Sequence, residues 1–154
     1  MSSDRALDQL KSRGLIISAR EDGGVLQLEV EARCVRDALL VLRSEGRFDF
    51  MLFMTAIDRP AEDRIEVVYR LFSYETKASA VVRLKLERMS AAVDTVSDVY
   101  RTAEWHEREA AEMFGIAFTN HPDPRKLLLP DDMEGYPLRK DFVHENLKPL
   151  PEVP

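Results

Sequence analysis

Seven of the eight prolines in this chain of 154 residues, Pro122, Pro124, Pro130, Pro137, Pro149, Pro151 and Pro154, follow His121. Proline lacks a backbone N–H, fixes its own φ and drives the preceding residue out of the helical region. The last fifth of the chain can therefore hold little regular structure beyond a brief extended Leu127–Leu129 segment. Any hydrophobic core must be assembled from the residues before it. The tail has no core of its own and must lie on something.

Upstream, the apolar spacing reads as alternating short elements. Ser3 or Asp4 can cap a first helix whose Ala6, Leu7 and Leu10 recur at helical spacing until Gly14. Leu15 to Ala19 reads as a strand. After Asp22-Gly23-Gly24, Leu26, Leu28 and Val30 alternate with polar residues, as in a hairpin strand with one wet face. Val35, Leu39 and Leu42 then form a helical stripe that ends at Gly46. The run DFMLFMTAID is apolar on consecutive positions and predicts an interior strand, closed by the Asp58-Arg59-Pro60 turn. Ile65 to Phe72 and Ala80 to Leu86 are further strands, with Ile65, Val67, Tyr69, Leu71, Val82, Leu84 and Leu86 facing inward. Strands grouped in this α-β-β-α-β-β-β order predict an α+β fold, a two-layer domain with helices on one face of a mixed β-sheet. Val96, Val99 and Tyr100 give a short helical stripe, and Thr102 can cap a second helix that runs to Phe114 and is closed by Gly115. The resulting organisation is one structural domain over residues 1–103 with an appended segment, 104–154, of one helix and an extended tail.

Composition bounds the function. A hydrophobic fraction of 45% with 32% charged residues is that of a soluble globular protein. No apolar run approaches the roughly 20 residues a bilayer span requires, so membrane association is expected only through a partner. The N-terminus carries no basic-then-apolar signal, and a cytoplasmic location is expected. The single cysteine, Cys34, excludes an internal disulfide, a CxxC pair and a cysteine-ligated iron–sulfur cluster, and is read as a small semi-buried residue. A net charge of −6 weighs against nucleic acid as a partner.

The Trp105–Phe114 helix concentrates side chains that resemble catalytic equipment. Glu104, Arg108 and Glu112 stand at successive i+4 steps, where they can pair along one face. Glu109 has Trp105 and Met113 as its i−4 and i+4 neighbours. Its carboxylate therefore reads as lying on an apolar stripe and tied to a tail arginine, Arg125 or Arg139, or else as a general acid. Metal chemistry fits poorly: there is no HExxH or ExxH unit, and His106, His121 and His144 are scattered. No GxSxG elbow, P-loop or GxGxxG is present. No cofactor site is expected. What remains is the tail itself, where LLLPDD sets three leucines beside Asp131 and Asp132, and GYPLRKDF mixes an aromatic ring with Arg139, Lys140, Asp141 and Phe142. A proline-stiffened strip of apolar side chains and charges is suited to being bound by a partner, the alternative being that it wraps its own domain.

These residues carry a resemblance. W-x-E-R-E-x-x-[DE]-M-F-G-I-x-F over Trp105–Phe118, H-P-D-x-R-[KR]-[IL]-L-L-P-D-D over His121–Asp132 and G-x-P-L-R-K-D-F over Gly135–Phe142 resemble the C subunit of the proton-pumping NADH:quinone oxidoreductase, complex I, and its relatives in membrane-bound hydrogenases. Departures are Glu112 for the usual Asp, Asn120 for Gly, Pro124 for Leu, Met133 for Trp and Tyr136 for His. Asn tolerates left-handed backbone angles and can replace Gly in a turn. The resemblance implies a peripheral protein on the cytoplasmic side of the cell membrane, carrying no flavin, cluster or quinone itself. It would pack against the D subunit, which forms the quinone site, and hold the iron–sulfur subunits of the peripheral arm. The equivalent component of an energy-converting hydrogenase, next to a hydrogenase large subunit, or of a formate hydrogenlyase or an F420H2 dehydrogenase is the alternative. On this reading Trp105, Glu107, Arg108, Glu109, Phe114, His121, Arg125, Asp131, Asp132, Arg139, Lys140, Asp141 and Phe142 form a partner-docking surface.

Overall fold

The computed structural model describes residues 2–145; Pro149, Pro151 and Pro154 lie outside the described residues. Helix α1 (Ser2–Ser12) is followed by strands β1 (Ser18–Asp22) and β2 (Val25–Glu29), helix α2 (Val35–Ser44) and strands β3 (Phe50–Arg59), β4 (Arg64–Phe72) and β5 (Ser79–Glu87). Strand β6 (Ala92–Asp94), helix α3 (Ala103–Phe114) and strand β7 (Ala117–Thr119) complete the order. Five strands form one sheet in the order β1-β2-β5-β4-β3, mixed because β2 runs parallel to β5 while the other pairs are antiparallel. The predicted α+β class and element order are those observed. A second sheet holds β6 and β7 in parallel.

The β1–β2 hairpin turns on Gly23 and Gly24, both at positive φ (56° and 75°), the backbone that a two-residue turn of the primed kind demands. β1 starts three residues later than predicted, because Leu15 and Ile16 pack on the core from an irregular segment rather than from a strand.

One face of the sheet is covered. Leu28 of β2, Met51, Met54 and Ala56 of β3, Ile65, Val67, Tyr69 and Leu71 of β4, and Ala80, Val82, Leu84 and Leu86 of β5 pack in a single core. Ala6 and Leu10 of α1, Ala38, Leu39 and Leu42 of α2, and Ala103, Ala110 and Phe114 of α3 close it from the other side. The alternate residues of the same strands, among them Val68 and Val81, lie on the opposite, uncovered face and outside that core. Cys34 is half-buried at the start of α2, as read from the sequence.

Two expectations are corrected. β3 is not an interior strand; it forms the sheet's edge, with Phe50, Leu52 and Phe53 at 39%, 44% and 42% exposure. Consecutive apolar residues report two apolar faces, and an edge strand has two faces just as an interior one does. Nor is there a helix over Val96–Tyr100. Those residues make a single hydrogen-bonded turn, Tyr100 N–H to Val96 O at 2.8 Å, whose apolar side chains plug the core. The turn is pinned to the strand–helix layer by the Tyr100 hydroxyl, which donates to Phe48 O at 2.6 Å, and by Arg43, which donates to Val99 O.

Tyr69 Oη is fully buried and has no hydrogen-bond partner among the described residues. An unmet buried hydroxyl costs stability, so Tyr69→Phe should leave stability unchanged or raise it by about 1 kcal/mol. Urea denaturation of the two proteins checks this; a loss of that size on removing the hydroxyl would mean that it is bonded.

Candidate functional site: the helix–tail clasp

Helix α3 is flanked by Thr102, whose side chain makes no capping hydrogen bond, and by Gly115, with φ at 73°. A Cβ at Gly115 would also stand 2.5 Å from the Tyr136 ring, so this glycine is needed both for its backbone angle and for the approach of the tail. The buried stripe of α3 is Ala103, Glu107, Ala110 and Phe114, at i, i+4, i+7 and i+11. A carboxylate therefore sits on the core-facing line.

That carboxylate is Glu107, fully buried. It accepts the Val96 N–H at 2.8 Å and the Thr95 hydroxyl, and His121 Nε2 lies 3.6 Å away. His121, its side chain 2% exposed, accepts the Asp123 N–H at Nδ1 (3.0 Å), which puts its proton on Nε2, directed at Glu104 O at 3.0 Å. Burial pushes Glu107 up to about 7 against the pull of its two hydrogen bonds. Glu109, expected on an apolar stripe and tied to Arg125 or Arg139, is instead exposed, as is Trp105 at 57%. Of the apolar neighbours that singled out Glu109, Trp105 faces outward and only Met113 packs, half-buried, against the core. The spacing of Ala103, Ala110 and Phe114 around Glu107 was the signal for the correct carboxylate.

The residues read as a ladder along the helix do not pair with one another. Glu112, 6% exposed, accepts three successive backbone N–H groups, from Leu127 at 3.1 Å, Leu128 at 2.8 Å and Leu129 at 3.1 Å. The three leucines bend around one carboxylate rather than run extended, a backbone cradle for an anion with the anion supplied by the helix. One turn earlier Arg108 has the opposite polarity: it donates to Arg125 O at 2.9 Å and Lys126 O at 3.0 Å, pairs with Asp123 at 3.4 Å and lies over the Trp105 ring. Arg125 pairs with Asp123 at 2.7 Å, and the two guanidinium groups hold that carboxyl well below its ordinary range. Lys126 Nζ closes the following loop by donating to Pro130, Asp131 and Met133 carbonyls at 2.8–3.2 Å. Asn120 takes φ 61°, the left-handed angle anticipated for it.

A second set of bonds fastens the tail's next stretch. Arg88, just after β5, makes a bidentate pair with Asp58 of β3 at 2.7 and 2.9 Å and a second with Asp141 at 2.7 and 3.1 Å. The Lys140 N–H donates to Asp58 at 2.8 Å. Arg139 donates to Phe114 O at 2.7 Å and Arg88 O at 3.1 Å and lies 4.7 Å over the Tyr136 ring. Phe142 is half-buried, its ring stacked on His144 and standing over Gly135. Neither Arg88 nor Asp58 stands out in the sequence, because no local pattern links positions 58, 88 and 141.

The thirteen predicted residues thus divide by direction. Glu107, Phe114, His121, Arg108 and Arg139 turn inward and fasten the tail, Phe142 is half-buried within it, and Asp141 fastens it at its carboxylate while remaining 65% exposed. Trp105, Glu109, Arg125, Asp131, Asp132 and Lys140 are exposed. Around them lie further exposed apolar side chains, Leu128 at 62%, Tyr136 at 42%, Leu138 at 51% and Val143 at 88%. Among the described residues, no three His, Cys, Asp or Glu side chains are grouped to hold a metal ion.

These bonds have measurable consequences. Glu112→Ala strands three tail N–H groups that bond to a charge, each worth about 1.5–3 kcal/mol, so tryptic cleavage after Arg125 and Lys126 should accelerate at least about tenfold while the sheet domain stays folded. Unchanged cleavage would show that Glu112 does not hold the tail. For Glu107, the folded state binds the proton more tightly than the unfolded chain does. Its contribution to stability is therefore complete at about pH 4.5 and lost as pH rises through about 7. The stability of Glu107→Gln relative to the parent should rise by something on the order of 3 kcal/mol from pH 4.5 to pH 8 in paired urea melts. A pH-independent difference would contradict it. Asp58 and Asp141, held low by Arg88, act at the acid end in both proteins and cancel in the comparison.

Residues 28–148 match the family model for the respiratory-chain NADH dehydrogenase, 30 Kd subunit. The chain is 35% identical to the NADH-quinone oxidoreductase C subunit of Citrifermentans bemidjiense over 143 residues, 91% of this chain and 89% of the relative. It is 40% identical to the F(420)H(2) dehydrogenase C subunit of Methanosarcina mazei over 102 residues, 66% of this chain and 65% of the relative. Among solved structures, a chain of the membrane-bound sulfane sulfur reductase, an archaeal respiratory membrane complex, superposes with a TM-score of 0.80 at 31% identity, over 93% of this chain and 86% of that one. The trypsin-resistant fragment (1-134) of Nqo5 gives 0.67 at 25% identity, over 80% and 99%.

Proposed function

The chain belongs to the respiratory-chain NADH dehydrogenase 30 Kd subunit family, and from that premise we propose that it is a peripheral-arm component of a proton-pumping NADH:quinone oxidoreductase with no catalytic centre of its own. It docks on the D subunit at the quinone site and steadies the neighbouring cluster-bearing subunits on the cytoplasmic side of the membrane. No helix among the described residues is long and apolar enough to cross a membrane.

The observation that carries this reading is the pairing of a fastened backbone with outward side chains. Glu112 and Arg108 hold the tail's main chain to the domain, and Arg88 and Arg139 fasten it through the Asp141 carboxylate and the Phe114 carbonyl, while Trp105, Leu128, Tyr136, Leu138 and Val143 stay exposed beside Asp131, Asp132, Arg125 and Lys140. Apolar anchors with a charged rim on a pre-ordered strip bind a partner with little loss of entropy. In this division residues 1–103 supply the scaffold and 104–154 the docking segment. A catalytic role for Glu109 finds no support, because its carboxylate is exposed rather than set on a buried apolar stripe.

The second reading is the equivalent component of an F420H2 dehydrogenase, which the likeness to the Methanosarcina protein favours, or of an energy-converting hydrogenase or formate hydrogenlyase. Affinity purification from detergent-solubilised membranes of the native host, with mass spectrometry of co-eluting chains, separates the two. A quinone-site subunit with flavin and cluster subunits supports the first, a nickel–iron hydrogenase large subunit the second, and recovery of the chain alone contradicts both. Replacing Trp105 and Leu128 together with Asp should cost roughly 2–4 kcal/mol of association, seen as loss of the co-eluting chains, with the isolated protein's melting temperature nearly unchanged.

A further inference from the structure

The uncovered face of the sheet is divided in a way that solvent exposure does not explain. Towards one end its charges pair among themselves. Arg59 and Arg83 flank Glu66 at 2.8 and 2.9 Å, Arg64 meets Glu87 at 2.6 Å and Lys85 meets Glu62 at 3.0 Å. Towards the other end the surface is apolar. Phe50 pairs across strands with Phe72, Tyr74 packs edge-on against both at 5.6 and 5.2 Å, Phe53 continues the patch, and Val68 and Val81 lie buried beside it on the same face.

Arg70 stands in that apolar half. The ladder sets it directly opposite Phe53 of β3 on one side and Val81 of β5 on the other, and it is half-buried. Of the charged residues that β3, β4 and β5 present on this face, it is the one whose side chain has no ion pair, hydrogen bond or ring contact among the described residues. A half-buried guanidinium among apolar side chains has lost part of its hydration and gained no carboxylate in return. The neighbouring edge strand β3 adds exposed Leu52 and Phe53 and an unpaired edge.

The geometry points to a second docking face, formed by Phe50, Phe53, Arg70, Phe72 and Tyr74 and remote in sequence from the tail. Its occupant is another protein of the complex, presenting one carboxylate flanked by apolar side chains. The carboxylate completes Arg70 through a two-pronged bond, and the apolar flanks cover the aromatic rings. This rests on the reading of the chain as one member of a larger complex and adds to it a partner distinct from the one that the tail engages.

The test places a benzoylphenylalanine photo-cross-linker at Phe53 and, in a second strain, at Trp105, with the complex isolated intact from the native host. An adduct from position 53 to a peptide of another protein of the complex, bearing Asp or Glu among apolar residues, is the expected result. Arg70→Glu and Arg70→Gln should each lower its yield at least about tenfold, with the Trp105 adduct retained as the control for folding and assembly. Changing the partner's acidic residue to Arg should restore the adduct in the Arg70→Glu strain. An adduct at 105 with none at 53 overturns the second face and leaves the proposed function standing. Cross-linking of position 53 to a second copy of this chain or to its own residues 146–154, or a yield indifferent to Arg70, also overturns it. Loss of both adducts overturns the reading of the chain as a member of a complex and this inference together.

Discussion

The Arg88 guanidinium is the interaction on which the arrangement of this molecule turns. Its side chain is 9% exposed and that of Asp58 is fully buried, so neither charge can be left to water. Two carboxylates from distant parts of the chain, Asp58 on the edge strand and Asp141 in the tail, divide the guanidinium between them. Removing either partner from such a group leaves a buried charge uncompensated, which costs far more than the pair itself contributes. The edge of the sheet, the end of β5 and the tail at Asp141 are thereby locked to one another.

Helix α3 solves a related problem for the tail's backbone. A proline-rich strand cannot satisfy its N–H and C=O groups by pairing in a sheet, yet each such group needs a partner once water is excluded. Glu112 supplies the acceptor and Arg108, one turn away, the donor, so a single helical face reads both polarities of the strip. Apart from Asp123, Arg139 and Asp141, which fasten the strip, its side chains such as Leu128, Leu138 and Val143 are then free to face outward. The wrapping of the tail on its own domain and the proposed docking of a partner, which composition sets against each other, are thus compatible on one strip.

Two surfaces of different character emerge. The tail side mixes apolar anchors with both signs of charge, whereas the open sheet face carries aromatic rings around one uncompensated cation. If both are docking faces, as proposed, their dissimilar chemistry would keep one partner from occupying the site of the other.

The elements and the core are legible in the chain before it folds. The stripes of Val35, Leu39 and Leu42 and of Ile65, Val67, Tyr69 and Leu71, the Gly23-Gly24 turn and the Gly115 stop are local patterns, and local patterns report which face of an element is apolar. The three motif blocks of the last third identify the family. That β3 lies at an edge emerges only from the folded molecule, because periodicity records the faces of a strand and not its lateral neighbours. So does the burial of Glu107 rather than Glu109, and the bonding of Glu112 and Arg108 to tail backbone instead of to each other. Asp58, Arg88 and Asp141 could not have been grouped from the chain, since charge pairs across 30 and 53 residues leave no local trace. Hydrophobic burial is encoded by spacing and can be read in one dimension. Which polar groups meet depends on how the buried elements stack, and that exists only once the chain has folded.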